Sequence, residues 1–273
     1  MTRCAVLGSP IRHSLSPVLH QTAYDVLGLD WTYEALEVTA DRLAGFLDGL
    51  DDTWRGLSLT MPLKRTVVPL VDGLSDRAEQ AQSANTVVLD HGRRTGHNTD
   101  VGGISAALRE KGVEAVGSVV VLGGGATAAS ALLALADLGC RQATLLVRDP
   151  ARAAATLATA ARHPTPPDVE VRGLDAGPVA ADVLVSTVPA TAQAGAVLDL
   201  VDAVDVVFEV VYDPWPTPLA RRAAASGRLL VSGLDLLVHQ AVLQVELMTG
   251  VDRAPLDAMR RAGENALAGR SLA

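Results

Sequence analysis

The sequence predicts an α/β protein made of two α/β domains, and three observations carry that expectation. Apolar, strand-like runs alternate with helix-like stretches from end to end, as in parallel sheets covered by helices. A glycine turn, Gly123–Gly125, stands between an apolar strand-like run and a helical one. Four short polar segments fall where strands of the first hundred residues end.

In order, Cys4–Leu7 is a short apolar strand. Ser16 and Pro17 then open a helix to about Leu27, with serine as N-cap, proline at the first helical position and Gly28 as the stop. Thr32–Val38 reads as a strand, Asp41–Leu50 as a helix and Gly56–Leu59 as a strand. Short helices follow at Leu63–Val71 and Ser75–Ser83. Thr86–Leu89 and Arg94–His97 flank His91–Gly92 as a hairpin, and Asp100 caps a helix running to Lys111–Gly112. The second pattern opens with strand Ser118–Leu122, helix Ala126–Leu138 closed by Gly139, and strand Ala143–Val147, a βαβ unit. Further strands are expected at Val169–Arg172, Asp182–Val185, Val204–Val210 and Leu229–Ser232, and helices at Pro150–Arg162, Pro218–Ser226, Leu234–Met248 and Ala254–Leu267. The proline-rich Arg162–Asp168 is a surface loop.

Composition narrows the function. The 273 residues are 49% hydrophobic and 20% charged, with a formal charge of −8 that argues against nucleic acid or an anionic membrane as partner. No apolar run reaches the ~18–20 residues of a membrane-spanning helix, and the first residues lack a signal-peptide pattern. Cys4 and Cys140 sit in apolar surroundings outside any metal or redox motif and read as core residues of a reducing compartment. A soluble cytoplasmic protein without a metal is expected. Of 23 basic residues only Lys64 and Lys111 are lysines, and Lys111 reads as an ordinary helix-end residue.

The segment Leu122-Gly123-Gly124-Gly125-Ala126-Thr127-Ala128 fits G-x-G-x-x-A between a strand and a helix. Such glycines permit a tight turn and let backbone approach a pyrophosphate at the helix N-terminus. The alternative is a turn with a packing role alone. At the end of the following strand, an acidic residue would suit the ribose hydroxyl of NAD, whereas arginine suits the 2′-phosphate of NADP. Arg148 and Arg152, one helical turn apart, favour NADP. Asp149 would oppose that phosphate if it pointed inward, but before Pro150 it is better placed to cap a helix.

The four polar segments are Gly8–Pro17, Ser58–Lys64, Ala84–Thr86 and Gly96–Asp100. Ligands of open α/β sheets bind beyond the carboxyl ends of strands, so these segments converge if the first domain is such a sheet. Their hydroxyls, amide, ammonium and carboxylate suit a small polyhydroxylated substrate.

In this order and spacing the motifs resemble those of the shikimate dehydrogenase family along the whole chain. The family's G-x-P-I-x-H-S-x-S-P is similar to Gly8–Pro17, its [NS]-x-T-x-P-x-K to Ser58–Lys64, and its A-x-N-T and N-T-D to Ser83–Thr86 and Asn98–Asp100. Its C-terminal G-x-x-x-L-x-x-Q-A is similar to Gly233–Ala241. The resemblance implies NADP-linked interconversion of 3-dehydroshikimate and shikimate on the route to chorismate and the aromatic amino acids. It implies catalytic roles for Lys64 and Asp100, and substrate contacts from Ser14, Ser16, Thr60, Asn85, Tyr212 and Gln240. Cofactor contacts would come from Gly123, Gly124, Gly125, Ala126, Arg148, Arg152 and Gly233. The implied architecture is a substrate-binding domain, 1–101 with 235–273, and a Rossmann-type NADP-binding domain, 102–234, with an interdomain cleft. A monomer or homodimer acting on a small molecule is expected. Two rivals stay open: an NAD-dependent quinate/shikimate dehydrogenase, motivated by Asp149, and a non-catalytic ligand-binding relative, which intact Lys64 and Asp100 oppose.

Several of these residues have plainer uses. Ser16 and Asp100 could act only as helix caps, and Lys64 as a solvated helix residue. Gln240, inside an apolar helix, needs a partner if buried, whether ligand or core. His13, His20 and His239 read as structural. The chain also departs from the family's usual residues, with Ser58 and Val147 where asparagine is frequent, His97 and Glu209 where aspartate is frequent, and Leu236 for methionine. Asp149 stands where threonine or serine is frequent, and Ser186–Pro189 replaces N-A-T-S.

Overall fold

The computed structural model describes residues 1–270 and, within them, every side chain but that of Arg152. The chain forms two compact units, Met1–Gly103 with Leu237–Ala273, and Ile104–Leu236.

The first unit holds β1 (Thr2–Gly8), α1 (Ser16–Val26), β2 (Trp31–Glu37), α2 (Leu43–Asp48), β3 (Trp54–Leu59), α3 (Leu63–Thr66), β4 (Gly73–Leu74) and α4 (Asp76–Ala81). It continues with β5 (Thr86–Asp90), β6 (Arg93–His97) and the start of α5 (Asp100–Glu110). Its six-stranded sheet runs β2-β1-β3-β5-β6-β4. β2, β1 and β3 are mutually parallel, while β5 reverses against β3 and pairs antiparallel with β6. The β5–β6 pairing needs the two-residue turn at His91 and Gly92, whose φ values of 49° and 77° are the left-handed pair a type I′ hairpin demands. Ala5, Leu7, Leu57, Leu59, Leu63 and Val87 pack into one core with Leu43 and Leu47 of α2.

The second unit contains β7 (Ser118–Leu122), α6 (Ala126–Asp137), β8 (Gln142–Val147), α7 (Ala154–Ala160), β9 (Asp168–Gly173) and β10 (Ala181–Ser186). It closes with α8 (Ala196–Asp199), β11 (Val204–Glu209), α9 (Pro218–Ala225), β12 (Leu229–Val231) and the start of α10 (Gly233–Thr249). The remainder of α10 and α11 (Leu256–Arg270) belong to the first unit. All neighbouring strands are parallel, in the order β12-β11-β10-β7-β8-β9. This is the doubly wound dinucleotide-binding order, with its topological switch point between β7 and β10. Ala128–Ala136 of α6 are buried on every side, which explains why that helix is apolar all round.

Local chemistry departs from the sequence expectations in a few places. Ser16 is not the N-cap of α1; Leu15 holds that position, and the Ser16 N–H donates to Ser14 Oγ at 3.2 Å. Asp100 is the first residue of α5 and does not act as its cap toward Val101, whose N–H donates to Asn98 Oδ1 at 3.2 Å. The helix expected over Leu63–Val71 breaks into α3 and a 3-10 turn at Val68–Leu70, where Pro69 lacks a donor. Lys111 is no idle helix end, since its Nζ lies 3.6 Å from Oδ1 of the buried Asp235. The strand β4, two residues long, was too short to leave a periodic signal. Cys4 and Cys140 are free thiols in the core, and burial raises both to about 11. Among the described residues no helix is long and apolar enough to cross a membrane.

Candidate active site

In the first unit, four polar segments converge as their positions at strand ends predict. α3 begins just beyond β3, which sets Lys64 at the carboxyl edge of the sheet. The Ala84 N–H donates to the Lys64 carbonyl at 2.8 Å, tying α3 to the chain entering β5. α5 begins just beyond β6 and brings Asp100 to the same edge. Lys64 Nζ donates to Asp100 Oδ2 at 2.6 Å, with side chains 16% and 6% exposed. The other oxygen, Oδ1, accepts from Asn85 Nδ2 at 2.9 Å, so both carboxylate oxygens are held by donors. Lys64 spends one of its three N–H donors on Asp100, which leaves the ammonium capacity for an oxygen ligand.

Asn85 is the hub of the site. Its Nδ2 lies 2.8 Å from Thr99 Oγ1, 2.9 Å from Asp100 Oδ1 and 3.2 Å from Gln240 Oε1. An amide nitrogen has only two hydrogens, so three acceptors exceed its capacity and the longest contact is the weakest. Gln240 Oε1 is therefore the acceptor most easily taken over by a ligand hydroxyl, while its Nε2 stays anchored to the Leu237 carbonyl at 2.8 Å. α10 approaches α5 closely here, because a Cβ added at Gly103 would lie 2.9 Å from Gln240 Cβ. Ser14 is half-buried and Ser16 is buried at the N-terminus of α1. Thr60 follows β3; its methyl fills the space over Gly8, where a Cβ would come within 2.3 Å of Thr60 Cγ2.

The second unit holds the remaining predicted residues. Gly123 has φ +98°, and a Cβ there would lie 2.5 Å from Thr187 Oγ1, so only glycine fits the turn. Thr187 Oγ1 donates to the Leu122 carbonyl and Thr156 Oγ1 to the Gly124 carbonyl, both at 2.7 Å, bracing the turn from the end of β10 and from α7. These braces gave no recognisable sequence signal. Gly125 caps α6 and meets open space where its Cβ would be, and Ala126 is the first helical residue. A cavity of about 880 Å³ lies over the turn, lined by Gly123–Gly125, Val147, Arg148, Asp149 and Val188–Pro189 among others. Glycine backbone, helix N-terminus and an exposed arginine at the end of β8 fit a phosphorylated dinucleotide. Asp149 also lines that cavity, and its Oδ1 accepts the Ala151 N–H at 3.0 Å and caps the turn at Pro150. The Arg152 side chain lies outside the described residues.

Tyr212 is half-buried beyond β11, and Gly233 is buried at the start of α10. A Cβ at Gly233 would lie 2.4 Å from the Val210 carbonyl oxygen, so backbone must pass against backbone there. The loop carrying Tyr212 hangs on Glu209, whose fully buried carboxylate accepts from the Val211 N–H, the Thr217 hydroxyl and Gln193 Nε2. Burial raises the Glu209 carboxyl above its ordinary range despite those donors. The residue overlooked by sequence reasoning is Gln244, buried in the first unit one turn beyond Gln240. Two glutamines four apart in an apolar helix share a face, and that spacing was the available signal.

A dinucleotide-binding sheet with its glycine turn, in one chain with a buried ammonium–carboxylate pair among hydroxyls and amides, defines by class a nicotinamide-nucleotide-linked oxidoreductase. Residues 6–87 match the family described as Shikimate dehydrogenase substrate binding domain, and residues 233–262 match Shikimate 5'-dehydrogenase C-terminal domain. The Shikimate dehydrogenase (NADP(+)) of Desulfitobacterium hafniense is 33% identical over 269 residues, covering 97% of this chain and 98% of that protein. The crystal structure of Mycobacterium tuberculosis shikimate dehydrogenase superposes with a TM-score of 0.89 at 39% identity, covering 97% of this chain and all of that one (100%). The Thermus thermophilus shikimate 5-dehydrogenase, solved in complex with NADP(H) and shikimate, gives 0.82 at 30% identity and covers 98% of this chain and 100% of its own. The chain belongs to the shikimate dehydrogenase family. Among the described residues no group of 3 or more His, Cys, Asp or Glu is placed to hold a metal ion.

Proposed function

We propose that the protein catalyses the reversible NADP-linked interconversion of 3-dehydroshikimate and shikimate, with Lys64 and Asp100 managing the proton. The observation that carries the reading is the buried Lys64–Asp100 contact of 2.6 Å beside unspent ammonium donors. When bound, the nucleotide would supply a hydride to C3 of the substrate, or accept one in the reverse direction. In reduction the C3 oxygen gathers negative charge, and the Lys64 ammonium stabilises it and delivers a proton to it. Asp100 holds Nζ in position and, with Lys64, forms one coupled acid/base unit. Ser14 and Ser16 bind the substrate carboxylate with Tyr212 nearby, while Thr60, Asn85 and Gln240 read the ring hydroxyls. Gly123–Gly125 and Ala126 receive the pyrophosphate, Arg148 and Arg152 the 2′-phosphate, and the Gly233 backbone the nicotinamide.

Residues 1–101 with 235–273 act as the substrate domain and 102–234 as the nucleotide domain. The reading entails a cytoplasmic enzyme acting on a small molecule, as a monomer or homodimer. Asp149, which motivated the NAD alternative, is occupied as a cap. The test is a two-by-two assay of NADP⁺ or NAD⁺ with shikimate or quinate. Turnover should be highest for shikimate with NADP⁺. Preference for quinate with NAD⁺, or no NADPH oxidation on adding 3-dehydroshikimate, refutes the reading.

A further inference from the structure

A chain of buried hydrogen bonds runs through the first unit to Asp100 from Tyr33 on the edge strand β2. The Tyr33 hydroxyl donates to Ser58 Oγ at 2.5 Å, and Ser58 Oγ donates to Gln244 Oε1 at 2.9 Å. Gln244 Nε2 donates to the Asn85 carbonyl at 3.1 Å and to Thr86 Oγ1 at 2.9 Å. Thr86 Oγ1 donates to Asn85 Oδ1 at 3.1 Å, and Asn85 Nδ2 reaches Asp100. Ser58, Asn85, Thr86 and Gln244 are each at most 3% exposed, so water does not compete for these bonds.

Two backbone groups fix the polarity of the whole chain. The Asn85 carbonyl can only accept, so Gln244 must present its NH2 there and its Oε1 to Ser58. The Thr99 N–H can only donate, and it reaches Asn85 Oδ1 at 2.8 Å, so the Asn85 NH2 must face Asp100. Thr86 has one proton; because Gln244 donates to its oxygen, that proton is free to go to Asn85 Oδ1. The two Asn85 side-chain atoms are thus held from opposite sides. Rotated by half a turn, the amide would set its oxygen against the Asp100 carboxylate.

We propose that Gln244, acting through Thr86, is a positioning residue that holds the Asn85 amide with its NH2 on the Asp100 carboxylate. It touches neither substrate nor cofactor, and its effect rests on the reading of Lys64 and Asp100 as the acid/base pair. Asn85 also contacts Gln240, so a loosened Asn85 affects the binding of ring hydroxyls as well as the pair.

The test compares Gln244→Ala and Thr86→Val with Thr86→Ser, each in the full-length enzyme, by pH profiles of kcat for shikimate oxidation. Thr86→Val keeps volume and carries the test should Gln244→Ala fail to fold. Both should lower kcat roughly tenfold, the scale of a sub-ångström misplacement, with KM for NADP⁺ unchanged. The acid limb of the profile should move to higher pH, because a carboxylate that loses part of the donation from a loosened Asn85 amide holds its proton more tightly. Thr86→Ser, which keeps the hydroxyl, should restore both. An unmoved acid limb in Thr86→Val, whatever its melting temperature, overturns the proposal, as does failure of Thr86→Ser to restore it. Asp100→Asn run alongside separates the two claims. Full turnover there refutes the acid/base reading itself, whereas loss of turnover with unmoved profiles in the Gln244 and Thr86 variants refutes the positioning role alone.

Discussion

His20 offers a measurement of how strongly the first unit excludes water and charge. The ring is fully buried on the inner face of α1, stacked on Tyr33 with centroids 4.0 Å apart, and its Nδ1 lies 2.9 Å from the Ser16 carbonyl. Burial lowers it from 6.5 to about 4, with the Ser16 carbonyl pulling the other way. In the unfolded chain the imidazole takes up a proton near its ordinary value. Between that value and about 4 the unfolded state therefore binds more protons, and stability falls as the pH drops through this window. Integrating the two titrations gives a loss of about 2 kcal/mol between neutral pH and about pH 4.5. His20→Phe keeps the stack on Tyr33 and removes the titration. Urea unfolding of parent and variant at both pH values should show the parent losing about 2 kcal/mol more than the variant on acidification. Equal losses in the two proteins would refute the reasoning, because carboxylates titrating elsewhere contribute alike to both.

Three other perturbations reach the site directly. Lys64→Ala should lower turnover by roughly 10²–10⁴-fold while leaving binding of NADP⁺, followed by fluorescence titration, unchanged; a double cycle with Asp100→Asn should show strongly non-additive losses. Arg148→Ala should raise KM for NADP⁺ by roughly tenfold and leave KM for NAD⁺ where it was, since only the former carries the 2′-phosphate. Gly103→Ala introduces a Cβ 2.9 Å from the backbone nitrogen of Gln240 and should raise KM for shikimate several-fold, about 1 kcal/mol of binding, with KM for NADP⁺ unchanged.

How much of this was legible depended on whether a residue's role was local. The glycine turn, the βαβ unit, the hairpin at His91–Gly92 and the cap by Asp149 follow from a few neighbouring residues, and each stands as read. Ser16 misled because serine before proline has two local uses, and the cap position fell to Leu15 once Ser14 took the Ser16 N–H. Asp100 misled similarly, since a carboxylate at a helix start is drawn equally by local N–H groups and by a distant ammonium 36 residues earlier. Gln244 and Ser58 were out of reach for another reason. Their partnership spans 186 residues, and although the spacing of Gln240 and Gln244 marks a polar stripe on an apolar helix, nothing in either segment names the partner. The braces Thr156 and Thr187 fall in the same category, as threonines whose hydroxyls are spent on carbonyls 32 and 65 residues away.

The lysine inventory has a practical corollary. Both side-chain amines of the chain are engaged with aspartates, Lys64 at 2.6 Å and Lys111 at 3.6 Å. Arginine supplies the other basic side chains and is inert to acylating reagents under mild conditions. An amine-directed reagent such as an activated ester therefore has just two lysines to find, and one sits in the site. Acylation of Lys64, distinguished by peptide mass from that of the more exposed Lys111 and of the N-terminal amine, should track loss of turnover, and occupancy by substrate should protect against it. For most proteins such a reagent is a blunt surface label; here so few amines compete that the labelling of one site lysine can be followed by itself.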